Sequence, residues 1–277
     1  MLATTLESGF VTSNHSHIKQ KRSLSQVFLK VDWPSNQIVD ILESWGVQHV
    51  LEIGPGGGAL TQKLLAKNIH VTAIEKDTRF AENLAATISD EKFQIINEDI
   101  LKFDIANWLS EKSGEIAIIG NIPYKISTQI VIATLPFLDQ LKGVLLMTQL
   151  EFANRICAEN RTKDYGSITV YSQLRSQATL EFKVPKDCFK PIPKVDSAVI
   201  SLKPIKLPCD QETLDFTEKI VREAFTKRRK KLKNALGKFL DETIDLNIDL
   251  SQRPEDITPL EYVEIAKSLI KNKNSST

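Results

Sequence analysis

From about residue 48 the chain alternates between short β-branched runs and amphipathic stretches, and this alternation constrains the fold more than any other feature. His49-Val50-Leu51-Glu52-Ile53, Ile69 to Ile74 and Phe93 to Ile96 read as buried strands. Ala59 to Ala66 and Thr78 to Ile88 space their apolar residues by three and four, as helices do. Glu115 to Ile119 and Gly143 to Thr148 continue the series. A strand–helix unit repeating at about 22–25 residues predicts an α/β fold, with a Rossmann-like parallel sheet, helices on both faces and right-handed crossovers. Ligands of such sheets bind beyond the carboxyl ends of the strands.

The texture changes after about residue 177. Thr179 to Val184 and Val195 to Leu202 read as two further strands around a proline-rich loop, and Lys203 to Pro208, with two prolines, reads as a linker. Beyond it the chain is helical and charged. Three parts are therefore expected: a loose extension over residues 1–18, a main domain over 19–205, and a small helical domain over 206–277. A composition of 42% hydrophobic and 26% charged residues suits a globular protein and excludes a disordered one. Thirty-six basic against 35 acidic residues leave +1, so no whole-molecule field points to a nucleic acid or a membrane.

No stretch approaches the roughly 20 apolar residues of a membrane span. The Ser/Thr-rich start does not resemble a secretory signal. Cys157, Cys188 and Cys209 form no CxxC pair, which speaks against a disulfide framework or a zinc ribbon and predicts a reduced, cytoplasmic setting. His15 and His17 lack a further ligand nearby, so no metal is expected, and the chain is expected to be a monomer.

Leu51 to Leu60 runs from a strand through Gly54-Pro55-Gly56-Gly57-Gly58 into a helix. Glycines there let the backbone take positive φ and approach a ligand. Gly54, Gly56 and Ala59 also satisfy the dinucleotide fingerprint GxGxxA, so NAD stays open. Glu75, 21 positions past Gly54, can accept both hydroxyls of a ribose. Two features favour S-adenosylmethionine. Glu52 at the strand end would repel a pyrophosphate but not a sulfonium cation. Asp99, at the end of the third strand, can accept from an adenine amino group with Ile100 against the ring.

The fourth strand runs into Gly120-Asn121-Ile122-Pro123-Tyr124. An adenine amine is a poor nucleophile because its lone pair is delocalised into the ring. Acceptors on both of its hydrogens push the nitrogen towards a tetrahedral, reactive state, and the Asn121 amide oxygen and Ile122 carbonyl can be those acceptors. Pro123 fixes the backbone and Tyr124 offers a stacking face.

With these residues in place, the chain resembles the ribosomal RNA adenine N6-dimethyltransferases, class I S-adenosylmethionine-dependent enzymes related to the macrolide-resistance methyltransferases. The resemblance runs over about residues 19 to 270. It rests on Ser25-Gln26-Val27-Phe28-Leu29, on the Glu-Ile-Gly-Pro-Gly-x-Gly turn, on Asn-Ile-Pro-Tyr, on Phe189 to Ser197 against the pattern FxPxPxVxS, and on Lys227 to Leu232. It implies that Gln26, Val27 and Leu29 cover one side of the methionine moiety. Gly54 and Gly56 approach the cofactor, Glu75 holds the ribose, Asp99 and Ile100 hold the adenine, and Lys76 is a further cofactor-binding residue. By the same resemblance Asn121 contacts cofactor and target amine, while Tyr124 and Phe189 pack about the target base. Val27 and Ser25 depart from the family's usual Asn and Gly, which leaves only the Val27 backbone to contribute.

Arg222 to Lys238 holds Arg222, Lys227, Arg228, Arg229, Lys230, Lys231, Lys233 and Lys238 against Glu223, a net +7 in 17 residues (8 − 1). Such a patch suits phosphate contacts. Lys19, Lys21, Arg22 and Lys30 form a second cluster. The resemblance implies dimethylation of two adjacent adenosines in a hairpin near the 3′ end of 16S-type small-subunit rRNA, within a pre-30S-type particle, with a role in small-subunit biogenesis. Alternatives are a large-subunit methyltransferase of the macrolide-resistance type, an RNA-binding assembly factor, and a nicotinamide dehydrogenase.

Overall fold

The structure, a computed structural model, describes residues 27–240 and 248–275. The extension over 1–18, the basic residues Lys19, Lys21 and Arg22, and the candidate cofactor residue Gln26 with Ser25 lie outside the described residues.

A two-residue strand, β1 (Phe28–Leu29), leads into α1 (Trp33–Ser44), which starts with Pro34 in its first turn. The repeating units follow as β2 (His49–Ile53), α2 (Ala59–Ala66), β3 (His70–Ile74), α3 (Thr78–Thr87), β4 (Phe93–Ile96), α4 (Ile105–Ser110), β5 (Ile116–Asn121), α5 (Ser127–Thr134) and β6 (Gly143–Gln149). Next come α6 (Leu150–Ile156), α7 (Ser167–Gln173), β7 (Ser176–Val184), β8 (Phe189–Lys190) and β9 (Ser197–Pro204). The helical part holds α8 (Gln211–Thr226), the single turn α9 (Leu232–Ala235) and α10 (Pro259–Ser275).

Seven strands form one sheet in the order β4-β3-β2-β5-β6-β9-β7. The five from β4 to β6 are parallel, and β9 and β7 close the far edge antiparallel. This is the expected α/β class, with an antiparallel edge on a parallel sheet. The chain moves outward from β2 through β3 to β4, then returns to β5 on the other side of β2. That reversal opens a crevice at the carboxyl ends of β2 and β5.

Side-chain alternation explains why the parallel strands are apolar throughout. Leu51, Ile53, Ile118 and Leu146 point into one core with Trp108 of α4 and Val131 of α5. Their neighbours Val50, Ala117, Ile119 and Leu145 point into the other, against Ile38 and Leu42 of α1 and Leu60 and Leu64 of α2. A third cluster joins Leu214, Ile220, Val221, Leu232, Tyr262 and Ile265 to Tyr165, Val170 and Leu174, so it draws on both sides of residue 205. Polar ties cross the same seam. The Tyr165 hydroxyl donates to the Ile257 carbonyl at 2.8 Å, and Arg175 pairs with Glu218.

Candidate active site

The glycine turn between β2 and α2 is built around left-handed backbone. Gly54 lies at φ +67° and donates its N–H to the Ile74 carbonyl at 2.9 Å, tying the turn to the end of β3. Beside its α-carbon the nearest outside atom is the Asn121 carbonyl oxygen, 3.9 Å from where a β-carbon would sit, which leaves room for a ligand. Gly56, at φ +56°, is closed instead, since a β-carbon there would meet the Phe28 ring at 2.5 Å. Phe28 also packs on Phe80 of α3, with ring centres 5.4 Å apart, so β1 is laid over the turn as a cover.

Three carboxylates stand around this turn. Glu75 is 7% exposed and does two jobs in the fold: its Oε2 accepts the Gly56 N–H at 3.2 Å and its Oε1 the Asp77 N–H at 2.8 Å. Burial raises its pKa, and these backbone donors oppose the rise. Each oxygen keeps a second lone pair, as a ribose diol requires. Glu52 is 2% exposed and accepts from the Thr61 hydroxyl at 2.7 Å. Burial pushes its carboxyl up to about 7, with the Thr61 bond opposing and the charge of Glu75 adding to it. Asp99 is held low by Lys76, whose ammonium lies 2.6 Å from Oδ2, while Oδ1 accepts the Leu101 N–H at 3.1 Å. Lys76 thus pairs with Asp99 on this side of the cleft. Ile100 is buried on the cleft wall below them.

Asn121 is the last residue of β5, paired across the ladder with Met147. Its Nδ2 donates to the Val27 carbonyl at 3.3 Å. That bond orients the amide, and no donor among the described residues takes its Oδ1. The departure at position 27 is thus absorbed, because the backbone and not the side chain makes the contact. Ile122 anchors its N–H on the Met147 carbonyl at 3.1 Å and buries its side chain. Pro123 holds an extended ψ of 126°, and Tyr124 opens a single 3₁₀ turn. The Tyr124 ring is half-buried, and its hydroxyl bonds to the Ser197 hydroxyl at 2.8 Å. Burial raises its pKa.

Val27, Leu29, Gly54, Gly56, Glu75, Lys76, Asp99, Ile100, Asn121, Ile122, Pro123 and Tyr124 all line one cleft of about 290 Å³. Its charged lining is Glu52, Glu75, Glu98 and Asp99 against Lys76 and Lys125, a net −2 (2 − 4). An acidic, largely apolar cleft with a close-approach glycine suits a cationic nucleoside such as S-adenosylmethionine. It disfavours a pyrophosphate. Thr61, Asn97 and Ser197 were not singled out in the sequence. Asn97 donates to the Glu75 carbonyl at 2.8 Å, and only the place of Ser197 in the FxPxPxVxS segment hinted at its role.

Two expectations need correction. Phe189, expected against the target base, is 0% exposed in the core beside Val184 and Val199, and its backbone pairs with Leu29. The ring anchors β8, and β8 carries the cover strand β1. Arg228 is not a free phosphate ligand, because its guanidinium is taken by Glu255 and by the Lys163 carbonyl at 2.8 Å. The remaining basic run lies at the end of α8 and in the turn before α9, not along one helix face. Arg222, Lys227, Arg229, Lys230 and Lys231 are exposed there, with Lys227 also 3.5 Å from Glu223, and Lys233 is exposed on α9. Among the described residues no group of three His, Cys, Asp or Glu side chains is placed to hold a metal, and no helix is long and apolar enough to cross a membrane.

Comparison with known proteins places these features in context. The sequence profile of the family described as ribosomal RNA adenine dimethylase matches residues 17–271. A curated relative from Flavobacterium johnsoniae, named ribosomal RNA small subunit methyltransferase A, is 39% identical over 91% of this chain and 96% of its own length. One of the same name from Legionella pneumophila is 38% identical over 91% and 98%. Among solved structures, the 23S rRNA methyltransferase ErmE is 28% identical with a TM-score of 0.61, covering 88% of this chain and 99% of its own. A dimethyladenosine transferase from Plasmodium falciparum shares the fold at a TM-score of 0.66 and 23% identity, covering 90% and 98%.

Proposed function

The chain belongs to the ribosomal RNA adenine dimethylase family and is an rRNA adenine dimethyltransferase, and from that premise we propose that it dimethylates small-subunit rRNA in the cytoplasm. The targets are two adjacent adenosines in a hairpin near the 3′ end, and the modification belongs to small-subunit biogenesis. The two similar curated relatives carry the small subunit in their names, which supports this choice of substrate.

One observation carries the site assignment: the Val27 carbonyl engages the Asn121 Nδ2, which leaves Oδ1 without a donor among the described residues and available as an acceptor beside the Ile122 carbonyl. S-adenosylmethionine, when bound, supplies an electrophilic methyl group on a sulfonium centre. Glu75 accepts the ribose hydroxyls, Asp99 with Ile100 takes the adenine, and Val27, Leu29, Gly54 and Gly56 enclose the methionine end. Lys76 orients Asp99. Asn121 Oδ1 and the Ile122 carbonyl accept the two hydrogens of the target amine and favour its tetrahedral form. The Tyr124 face stacks the base, which must leave its helix to reach the cleft. Alignment and exclusion of water supply the rate, and no general base is assigned, since a methylated amine sheds its proton readily. The exposed basic turn before α9, on the helical unit, holds RNA phosphates.

The test is to incubate the protein with small and large subunits from an unmethylated strain and map methylated adenosines by mass. Dimethylated adenosine on the small subunit is expected. Modification confined to the large subunit would replace this reading with that of the 23S enzymes. An Asn121→Ala variant that still supports subunit assembly fully would make RNA binding the main task.

A further inference from the structure

A second cavity, of about 160 Å³, opens at the opposite end of the sheet, where β2 and β3 begin. Roughly 15 Å of strand separates it from the methyl-transfer cleft. His49 and His70 stand in register on these strands with their rings stacked 4.8 Å apart. Lys92, just ahead of β4, and Lys112, just beyond α4, complete the wall with Gln94 and Trp108. Lys112 lies 5.8 Å above the Trp108 ring, whose Nε1 is tied to Thr72 at 3.1 Å.

The charge around this cavity is unbalanced. Its only acidic lining residue is Glu91, 90% exposed and 3.9 Å from Lys92. Of the other nearby carboxylates, Glu115 pairs with Lys142 at 3.1 Å, Asp90 accepts the Lys92 N–H at 2.9 Å, and Glu111, next to Lys112, accepts from the Asn107 amide at 3.4 Å. No carboxylate among the described residues pairs with His49, His70 or Lys112. Four cation-capable side chains, two from strands and two from loops, thus converge on a space equal to about five water molecules. Burial, His70 and Lys112 all push the His49 pKa down, as expected where a counter-charge is missing.

We propose that this cavity is a phosphate site, in which His49, His70 and Lys112 donate to the oxygens of one phosphate group, free or carried on an RNA backbone. Donors arriving from separate elements suit a tetrahedral oxyanion better than a planar carboxylate. Filling the site favours the charged form of His49, which burial and its cationic neighbours otherwise oppose. The site lies apart from the cofactor cleft and does not depend on the proposed substrate.

Histidine ring resonances of the full chain, followed by NMR during titration with inorganic phosphate at constant ionic strength, test this. The ring resonances of both His49 and His70 are expected to shift saturably on titration near pH 6. Lys112→Met, a loop change that spares the strands, is expected to weaken binding about tenfold, and His49→Asn by a similar factor. Displacement of phosphate by a short RNA would identify backbone phosphate as the source, and indifference to RNA would identify free phosphate. Equal shifts with chloride, no response near pH 6, or zinc binding in place of phosphate would overturn the proposal.

Discussion

Glu52→Gln separates the electrostatic strain of the cofactor cleft from its packing. The side chain is 2% exposed, and its carboxyl titrates at about 7 in the fold against an ordinary 4.5. Holding it ionised therefore costs the folded state about 3 kcal/mol. The sign follows from proton counts. Between these two values the folded protein keeps a proton that the unfolded chain has released, so stability falls as pH rises through that window. Glutamine keeps the volume and the acceptor for the Thr61 hydroxyl, 2.7 Å away in the wild type, but never ionises. Relative to wild type, the variant should gain about 2–3 kcal/mol between about pH 5 and about pH 8.5, measured by denaturant titration. For a chain of this size that is about 5–10 °C in Tm. An unchanged difference between the two pH values would refute the assignment of a strained carboxylate. Calorimetry adds a second reading: a cationic cofactor should expel the Glu52 proton near neutrality, so the wild-type binding heat should vary with the buffer and the variant's should not.

Asn121→Ala should lower kcat by about 10²–10³ while leaving RNA affinity intact in a filter-binding assay; a loss below tenfold would remove the amide from the chemistry. Gly120→Ala should cost about 1–3 kcal/mol in thermal unfolding, because its β-carbon would sit 2.6 Å from the Ile53 carbonyl oxygen at the head of the glycine turn. Lys230→Gln with Lys231→Gln should reduce the slope of log affinity against log salt by roughly 1–2 for a ribosomal hairpin, uniformly across sequences. Arg228→Gln should instead act on stability, since it strips Glu255 and two carbonyls of their partner.

How much of this could be read from residues alone depended on sequence distance. The parallel strands and α2 were legible because β-branched runs and three-four spacing are local signals, and Ala59–Ala66 forms as expected. β5 runs two residues beyond the expected Ile119, since Gly120 and Asn121, poor strand formers, pair with Leu146 and Met147. That extension places Asn121 on rigid sheet instead of in a turn. Lys203 and Pro204 read as linker but pair with Gln177 and Ser176 at the end of β9, where the ladder stops. Phe189 and Arg228 were misread because their partners, Leu29 and Glu255, lie 160 and 27 residues away (189 − 29 and 255 − 228). Periodicity carries no such information. The glycine turn, Glu75, Asp99 and the Asn-Ile-Pro-Tyr block were legible because each sits at the end of a strand that could be counted.

The apolar seam formed by Tyr165, Val170 and Leu174 against α8 and α10 has a consequence for substrate choice. A basic turn hung on a loose tether would grip phosphates at any reach from the reacting pocket. Joined to the catalytic unit through a shared core, the exposed basic turn before α9 is held at a set interval from the cleft; on the function proposed above, an adenosine would reach the cleft only when its own backbone spans that interval.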